Sequence, residues 1–224
     1  MQKESSGNMN IVDVRGTLPL NPDPNRRYAL RTLNNIVRIV LHCDDMDADL
    51  MTIANFDVTP RPDHPISPLG DPGFTYHYFI EKDGTKYFTQ DLEEVTWHVG
   101  GYNLGSVGIC IRYHATGNHN PPPDIQLESV YELITSLCLS LGLEPDDVVG
   151  HRELLGTGYR IVNGKKVLRK TCPGLLVSMS KTRYTVSMQI QKALKDAGFY
   201  KGAMDGIFGP LSKKAFKQYK SKGN

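Results

Sequence analysis

The chain has 224 residues, with 26 Lys+Arg against 24 Asp+Glu, a formal net charge of +2 and a hydrophobic fraction of 39%. That length allows one ordinary domain or one domain with a small appendage, and the composition is that of a loop-rich globular chain rather than a disordered or fibrous one. No run approaches the ~20 apolar residues of a membrane-spanning helix. The cysteines, at 43, 110, 138 and 172, form no CxxC knuckle, which excludes a zinc ribbon and fits free thiols in a reducing cytosol.

The opening residues 1–8 lack the apolar core of a secretory signal, so synthesis in the cytoplasm without a signal peptide is expected. Ile36–Leu41 is short, β-branched and nearly all apolar, and predicts a buried strand with His42 at its carboxyl end. Thr75–Ile80 predicts a second strand, and Asp83-Gly84 before Lys86–Thr89 predicts a tight hairpin. Val107–Arg112 is a third apolar run. After Pro121–Pro123, apolar residues at 127, 130, 133, 134, 137, 138 and 141 match the stripe of an amphipathic helix, capped by Asp124 and ended by Gly142 and Pro145. Val148-Val149 is a short strand leading to Gly150-His151. Strands alternating with helices argue for an α/β fold around one mixed sheet.

Charge divides the chain. Residues 181–224 carry nine Lys and Arg183 against Asp196 and Asp205, a net of +8, while positions 1–180 carry 16 basic and 22 acidic residues, a net of −6. The composition shift places a boundary near Ser178–Lys181. Beyond it, Ile190 and Leu194 with Ala193 and Ala197 form a helical stripe stopped by Gly198. A glycine-rich loop follows, and Pro210 opens a last helix lined by Ala215, Phe216 and Tyr219. A helix–loop–helix unit of roughly 40 residues is at the lower limit for independent folding, so it is expected to be marginal or to lean on the main domain.

Candidate chemistry gathers where strands end. His42 and His151 each follow a β-branched run, and Lys170 and Cys172 alternate in an extended segment before Pro173, which puts a cation beside a thiol. Two imidazoles and a thiolate make a catalytic zinc set with one open position. Spacing alone leaves each histidine open to a core or surface role and Cys172 to that of a small buried hydrophobe. His114, His119 and His64 read as solvated loop residues.

The same segments carry a family resemblance. Ile39–His42, Tyr76–Gly84, Trp97–Asn103, Gly150–Leu154 and Lys170–Gly174 resemble, in order, the motifs of zinc-dependent N-acetylmuramoyl-L-alanine amidases, the family of amidase-type phage lysozymes and peptidoglycan recognition proteins. Ile11–Gly16 with Arg31–Leu33 is similar to openings of phage members. The resemblance implies a central mixed sheet flanked by helices, with a small all-α C-terminal module. It implies Zn2+ held by His42, His151 and Cys172, Tyr76 and Lys170 as catalytic side chains, and His98 as a substrate-groove contact. Relatives with an Asp ligand bear Glu where Cys110 stands, whereas Cys-ligand phage members do not. The tail resembles a short peptidoglycan-binding module through Ile190-Gln191, Leu194, Gly198–Tyr200, Asp205–Pro210 and Ala215-Phe216.

The implied organisation is a leader at 1–25, a catalytic domain at 26–178 and a wall-binding module at 183–224. The implied activity is hydrolysis of the amide between N-acetylmuramic acid and L-alanine by a phage or prophage endolysin acting at the bacterial cell wall. The expected partners are peptidoglycan and a holin-type release protein, with no nucleic acid and a monomeric state. The alternatives are a non-catalytic peptidoglycan-binding protein on the same fold, a regulatory interaction protein, a metal-independent hydrolase with Cys172 as nucleophile, and a cytosolic wall-recycling enzyme. Tyr159–Arg169 is an insertion whose Asn163-Gly164 centre predicts a hairpin, which either stands over the groove and shapes substrate choice or simply widens the loop.

Overall fold

The computed structural model describes residues 10–63, 67–115, 120–154, 159–162, 165–168 and 171–222, with the segments at 159–168 as backbone alone. Its strands are β1 (Ile11–Asp13), β2 (Arg38–Cys43), β3 (Tyr78–Ile80), β4 (Lys86–Phe88), β5 (Ser106–Ile111), β6 (Val148–Gly150), β7 (Tyr159–Val162) and β8 (Lys165–Leu168). The helices are α1 (Leu50–Val58), α2 (Asp124–Leu141), the single turn α3 (His151–Leu154), α4 (Met179–Asp196) and α5 (Pro210–Lys222). A six-stranded sheet runs β1-β4-β3-β5-β2-β6, parallel throughout except for the β3–β4 hairpin. β7 and β8 form a separate antiparallel pair, as the insertion predicts, with its Asn163-Gly164 centre outside the described residues.

Central strands buried on both faces read as continuous apolar runs, and β2 and β5 are of this kind. Alternate residues of β2 (Ile39, Leu41, Cys43) join Ile109, Ile111, Val130, Ile134 and Cys138 in the larger core under α2. The opposite face packs Phe74, Phe79 and Cys110 against Leu50, Ile53 and Ala54 of α1. Residues at even positions of β2, His42 among them, project toward this second side.

Several boundaries differ from the sequence reading. β2 continues through His42 to Cys43, because β5 stays in register as far as Cys43 opposite Ile111. The second strand starts only at Tyr78, since the Asp57 carboxylate captures the Thr75 amide and hydroxyl at 3.1 and 2.9 Å. Asp124 is the first residue of α2 rather than its cap, a position where its charge still favours the helix dipole. Gly142 ends α2 in the left-handed conformation, as expected.

The tail begins at Ser178, whose hydroxyl caps α4 by accepting from the Lys181 amide at 3.2 Å. α4 lies along α2, and Val186, Ile190 and Leu194, with Ala215 and Phe216 of α5, belong to the same core as the sheet. Gln191, fully buried, ties the intervening loop: its Oε1 accepts from the Gly206 amide, and its amide nitrogen faces Asp205 Oδ1, the Ile207 carbonyl and Ser212 Oγ at 3.0–3.1 Å.

Candidate active site and metal centre

His42 and His151 are far apart in sequence but stand at the carboxyl ends of neighbouring strands. β2 pairs with β6 so that Leu41 lies opposite Gly150, and the residue after each is the imidazole. Their ring centroids are 4.7 Å apart. Cys172 is brought to the pair by Arg152, the residue after His151. The Arg152 amide donates to the Cys172 carbonyl at 2.9 Å, and its guanidinium donates to the carbonyls of Thr171, Gly174 and Val177. Gly150 lets this loop approach, since a Cβ there would stand 2.9 Å from Pro173 Cδ.

The donor atoms of His42, His151 and Cys172 all lie within 4.8 Å of one another. Cys172 Sγ is 3.7 Å from His42 Nδ1. Zinc bonds of about 2.05 Å to nitrogen and 2.3 Å to sulfur at a tetrahedral angle require a separation of about 3.6 Å. Burial opposes charge on Cys172, but its contact with Cys43 and the His42 and His151 rings beside it outweigh burial and hold the thiol well below its usual range. The Cys43 amide also donates to this sulfur at 3.2 Å. Two imidazoles and a sulfur that favours the thiolate are therefore a donor set suited to zinc, with Cys172 only partly buried.

Tyr76 stands beside the set, its ring 5.1 Å from that of His42. Burial pushes the Tyr76 hydroxyl well above its ordinary pKa and keeps it a hydrogen-bond donor. Cys110 pairs with His42 across β2 and β5, so the position where some relatives carry Glu borders the site. His98 is buried, and its Nδ1 lies 2.9 Å from His42 Nε2. Burial first, and the neighbouring His42 and His77 next, hold it well below the usual histidine pKa. Trp97, the preceding residue, stays exposed on the rim, edge-on to Tyr28 and under the Arg26 guanidinium. Lys170, His64 and His119 lie outside the described residues.

Several supporting residues hold these elements in place. Arg31 is buried, and its guanidinium donates to the carbonyls of Leu92, Asn103, Leu104 and Ser106 at 2.7–2.9 Å, closing the loop that carries Trp97 and His98. Burial lowers its pKa to about 10. His77 Nδ1 accepts from the Gly108 amide at 3.0 Å, and its Nε2 lies 2.9 Å from Arg31 Nη2 and 3.0 Å from the Glu94 carbonyl. Glu153 accepts from the Gly150 amide and pairs with Arg183, linking α4 to the His151 turn. Arg152 was legible as part of the His151 motif. Arg31 entered the sequence reading only within the Arg31–Leu33 opening and Asp57 carried no signal, because their partners are distant in sequence.

Comparison with known proteins agrees with this geometry. Residues 32–175 match the family model described as N-acetylmuramoyl-L-alanine amidase. The chain is similar to an endolysin of Klebsiella phage KP32, 34% identical over 65 residues, covering 28% of this chain and 43% of that protein. It is also similar to an endolysin of Enterobacteria phage K11, 41% identical over 46 residues, or 20% of this chain and 30% of the other. The matches thus span less than half the length of these relatives. Among solved structures, the amidase LysC of Clostridium intestinale has 23% identity and a TM-score of 0.51, covering 77% of this chain and 94% of that one. A Drosophila peptidoglycan recognition protein, PGRP-SD, has 18% identity and a TM-score of 0.51 over 73% and 89%. These likenesses show the fold, a mixed sheet flanked by helices. With a family match over more than half its length, the chain belongs to the N-acetylmuramoyl-L-alanine amidase family.

Proposed function

We propose that the protein is a zinc-dependent hydrolase of the amide between the lactyl group of N-acetylmuramic acid and the L-alanine of the peptidoglycan stem, working as a phage or prophage endolysin at the bacterial wall. The observation that carries this is the convergence of His42, His151 and Cys172 to within 4.8 Å inside a chain of the amidase family. These three residues would hold the cation, and the thiolate bias of Cys172 suits it to the metal rather than to a role as a small buried hydrophobe. When bound, zinc supplies Lewis acidity to the scissile carbonyl and to the attacking water.

The chain's own groups do the rest. Tyr76, kept protonated by burial, would donate a hydrogen bond to the oxyanion that grows on the carbonyl. A donor of this kind is typically worth ~3–4 kcal/mol of barrier. Lys170 matches the second oxyanion donor of the family motif. The exposed Trp97, next to the buried His98, marks the side from which a glycan strand would approach. The tail, with its +8 charge, serves in this reading as an accessory wall-binding module. No helix among the described residues is long and apolar enough to cross a membrane. In this reading a holin-type partner releases the protein to the wall.

Mass spectrometry of digested sacculi tests the proposal. New muramic lactyl carboxylates paired with free L-alanine amines, abolished by a strong chelator and restored by zinc, are expected. Binding to sacculi with no new amines would mean a non-catalytic wall-binding protein. Turnover that resists the chelator would mean a Cys172 nucleophile.

A further inference from the structure

His98 occupies a position that a substrate contact does not explain. Its ring is enclosed, and it meets His42 through Nδ1 at 2.9 Å with the two rings nearly perpendicular, at 87°. Its other nitrogen, Nε2, is buried and has no hydrogen-bond partner among the described residues. An enclosed polar group left unpaired costs about 1–3 kcal/mol, so the ring is not oriented for its own hydrogen bonding. The bond it does make is to the far side of His42, whose Nδ1 is the atom facing Cys172.

A histidine that gives one nitrogen to a metal must carry its hydrogen on the other, and an acceptor for that hydrogen fixes both tautomer and ring angle. The usual acceptor is a carboxylate, a carbonyl or water. Here the atom in place is an imidazole nitrogen. Gly108 makes this possible, because a Cβ there would stand 2.8 Å from His98 Cγ and 2.9 Å from His98 Nδ1. The Gly108 amide is fixed in turn by His77 Nδ1, so the floor beneath His98 is itself held in place.

We propose that His98 is a positioning residue for the metal centre: it accepts the Nε2 hydrogen of His42 and so presents the His42 Nδ1 lone pair to a cation shared with His151 and Cys172, with Gly108 as the floor its ring requires. This rests on the zinc reading above and assigns His98 a role beyond contact with substrate. An Asn side chain places an acceptor oxygen where the His98 Nδ1 sits, whereas Leu keeps bulk without an acceptor.

The test is zinc affinity by competition with a chromogenic chelator, on the full chain, with unfolding of each metal-free protein followed in parallel. His98→Leu is expected to lose about 10–100-fold in affinity, His98→Asn to return to within about threefold of the unaltered protein, and Gly108→Ala to fall with His98→Leu. In the zinc-loaded protein the His42 Nε2–H resonance should be protected from exchange and should lose that protection in His98→Leu. If the unaltered protein binds zinc and His98→Leu binds it within about twofold as tightly, the positioning role is overturned while the metal site stands. If His98→Asn is as weak as His98→Leu, the acceptor argument is likewise overturned. If the unaltered protein takes up no zinc, the metal reading fails and this inference with it.

Discussion

Replacing Arg31 by methionine isolates the contribution of a buried cation whose hydrogen bonds go to backbone carbonyls. The guanidinium reaches Leu92, Asn103, Leu104 and Ser106, three of them through Nη1, which has two hydrogens to share. About three independent charge-assisted bonds follow, each worth roughly 1.5–3 kcal/mol net. Burial of the charge, visible in a pKa lowered to about 10, offsets part of that gain. Against it, the substitution strands several enclosed carbonyls, and removing one side of a buried charged network typically costs about 3–5 kcal/mol. We expect Arg31→Met to lose about 4 kcal/mol in urea denaturation, or about 8–16 °C in Tm for a chain of this size. Arg31→Lys, with charge but no fork, should lose about half as much. Because the loop carries Trp97 and His98, zinc retention should fall in parallel. A loss below about 1 kcal/mol for Arg31→Met would refute the claim that these bonds close the loop.

Asp57 gives a pH-dependent prediction. Burial, helped by Asp71 and opposed by Thr75 and Arg61, raises its carboxyl to about 7. Its contribution is therefore fully present below the unfolded value near 4 and is lost as pH rises toward 7. Asp57→Asn should match the unaltered protein near pH 4 and be more stable at pH 8, by at most about 4 kcal/mol; equal differences at both pH values would contradict this. His77, lowered to about 3 by burial, acts with the opposite sign, stabilising above its unfolded value and losing that effect as acid is added. Both proteins share it, so it cancels in the comparison. Gly150→Ala sets a Cβ 2.9 Å from Pro173 Cδ and 3.2 Å from Met179 Cγ, and should displace the Cys172 loop. Equilibrium dialysis should then show reduced zinc retention in a folded protein, and unchanged retention would show that the loop has room. Cys172→Ser should lose most bound zinc, and zinc at one equivalent in that variant would remove sulfur from the ligand set.

Legibility in the sequence follows the range of the interactions involved. β2, β5 and α2 announce themselves because their cores are built from residues close along the chain with a regular period. His42, His151 and Cys172 were legible through the short motifs around them, each set by a strand end or a Pro-bearing turn. Their meeting was expected through the family resemblance but not from spacing, because it depends on β2 pairing with β6 across 109 residues and on Arg152 gathering the Cys172 loop. The late start of β3 was hidden for a similar reason: Thr75 has strand propensity, but a carboxylate 18 residues earlier takes its amide. The tail's charge shift located the start of α4 yet did not reveal that Val186, Ile190 and Leu194 share the core of the sheet.

The central claim is that two imidazole nitrogens and one sulfur share a single cation with one position left open. X-ray absorption at the zinc edge of the reconstituted protein measures this directly. The account predicts two nitrogen scatterers near ~2.0 Å, one sulfur near ~2.3 Å and one light, exchangeable oxygen. A shell without sulfur, or one filled by four protein donors, would contradict it.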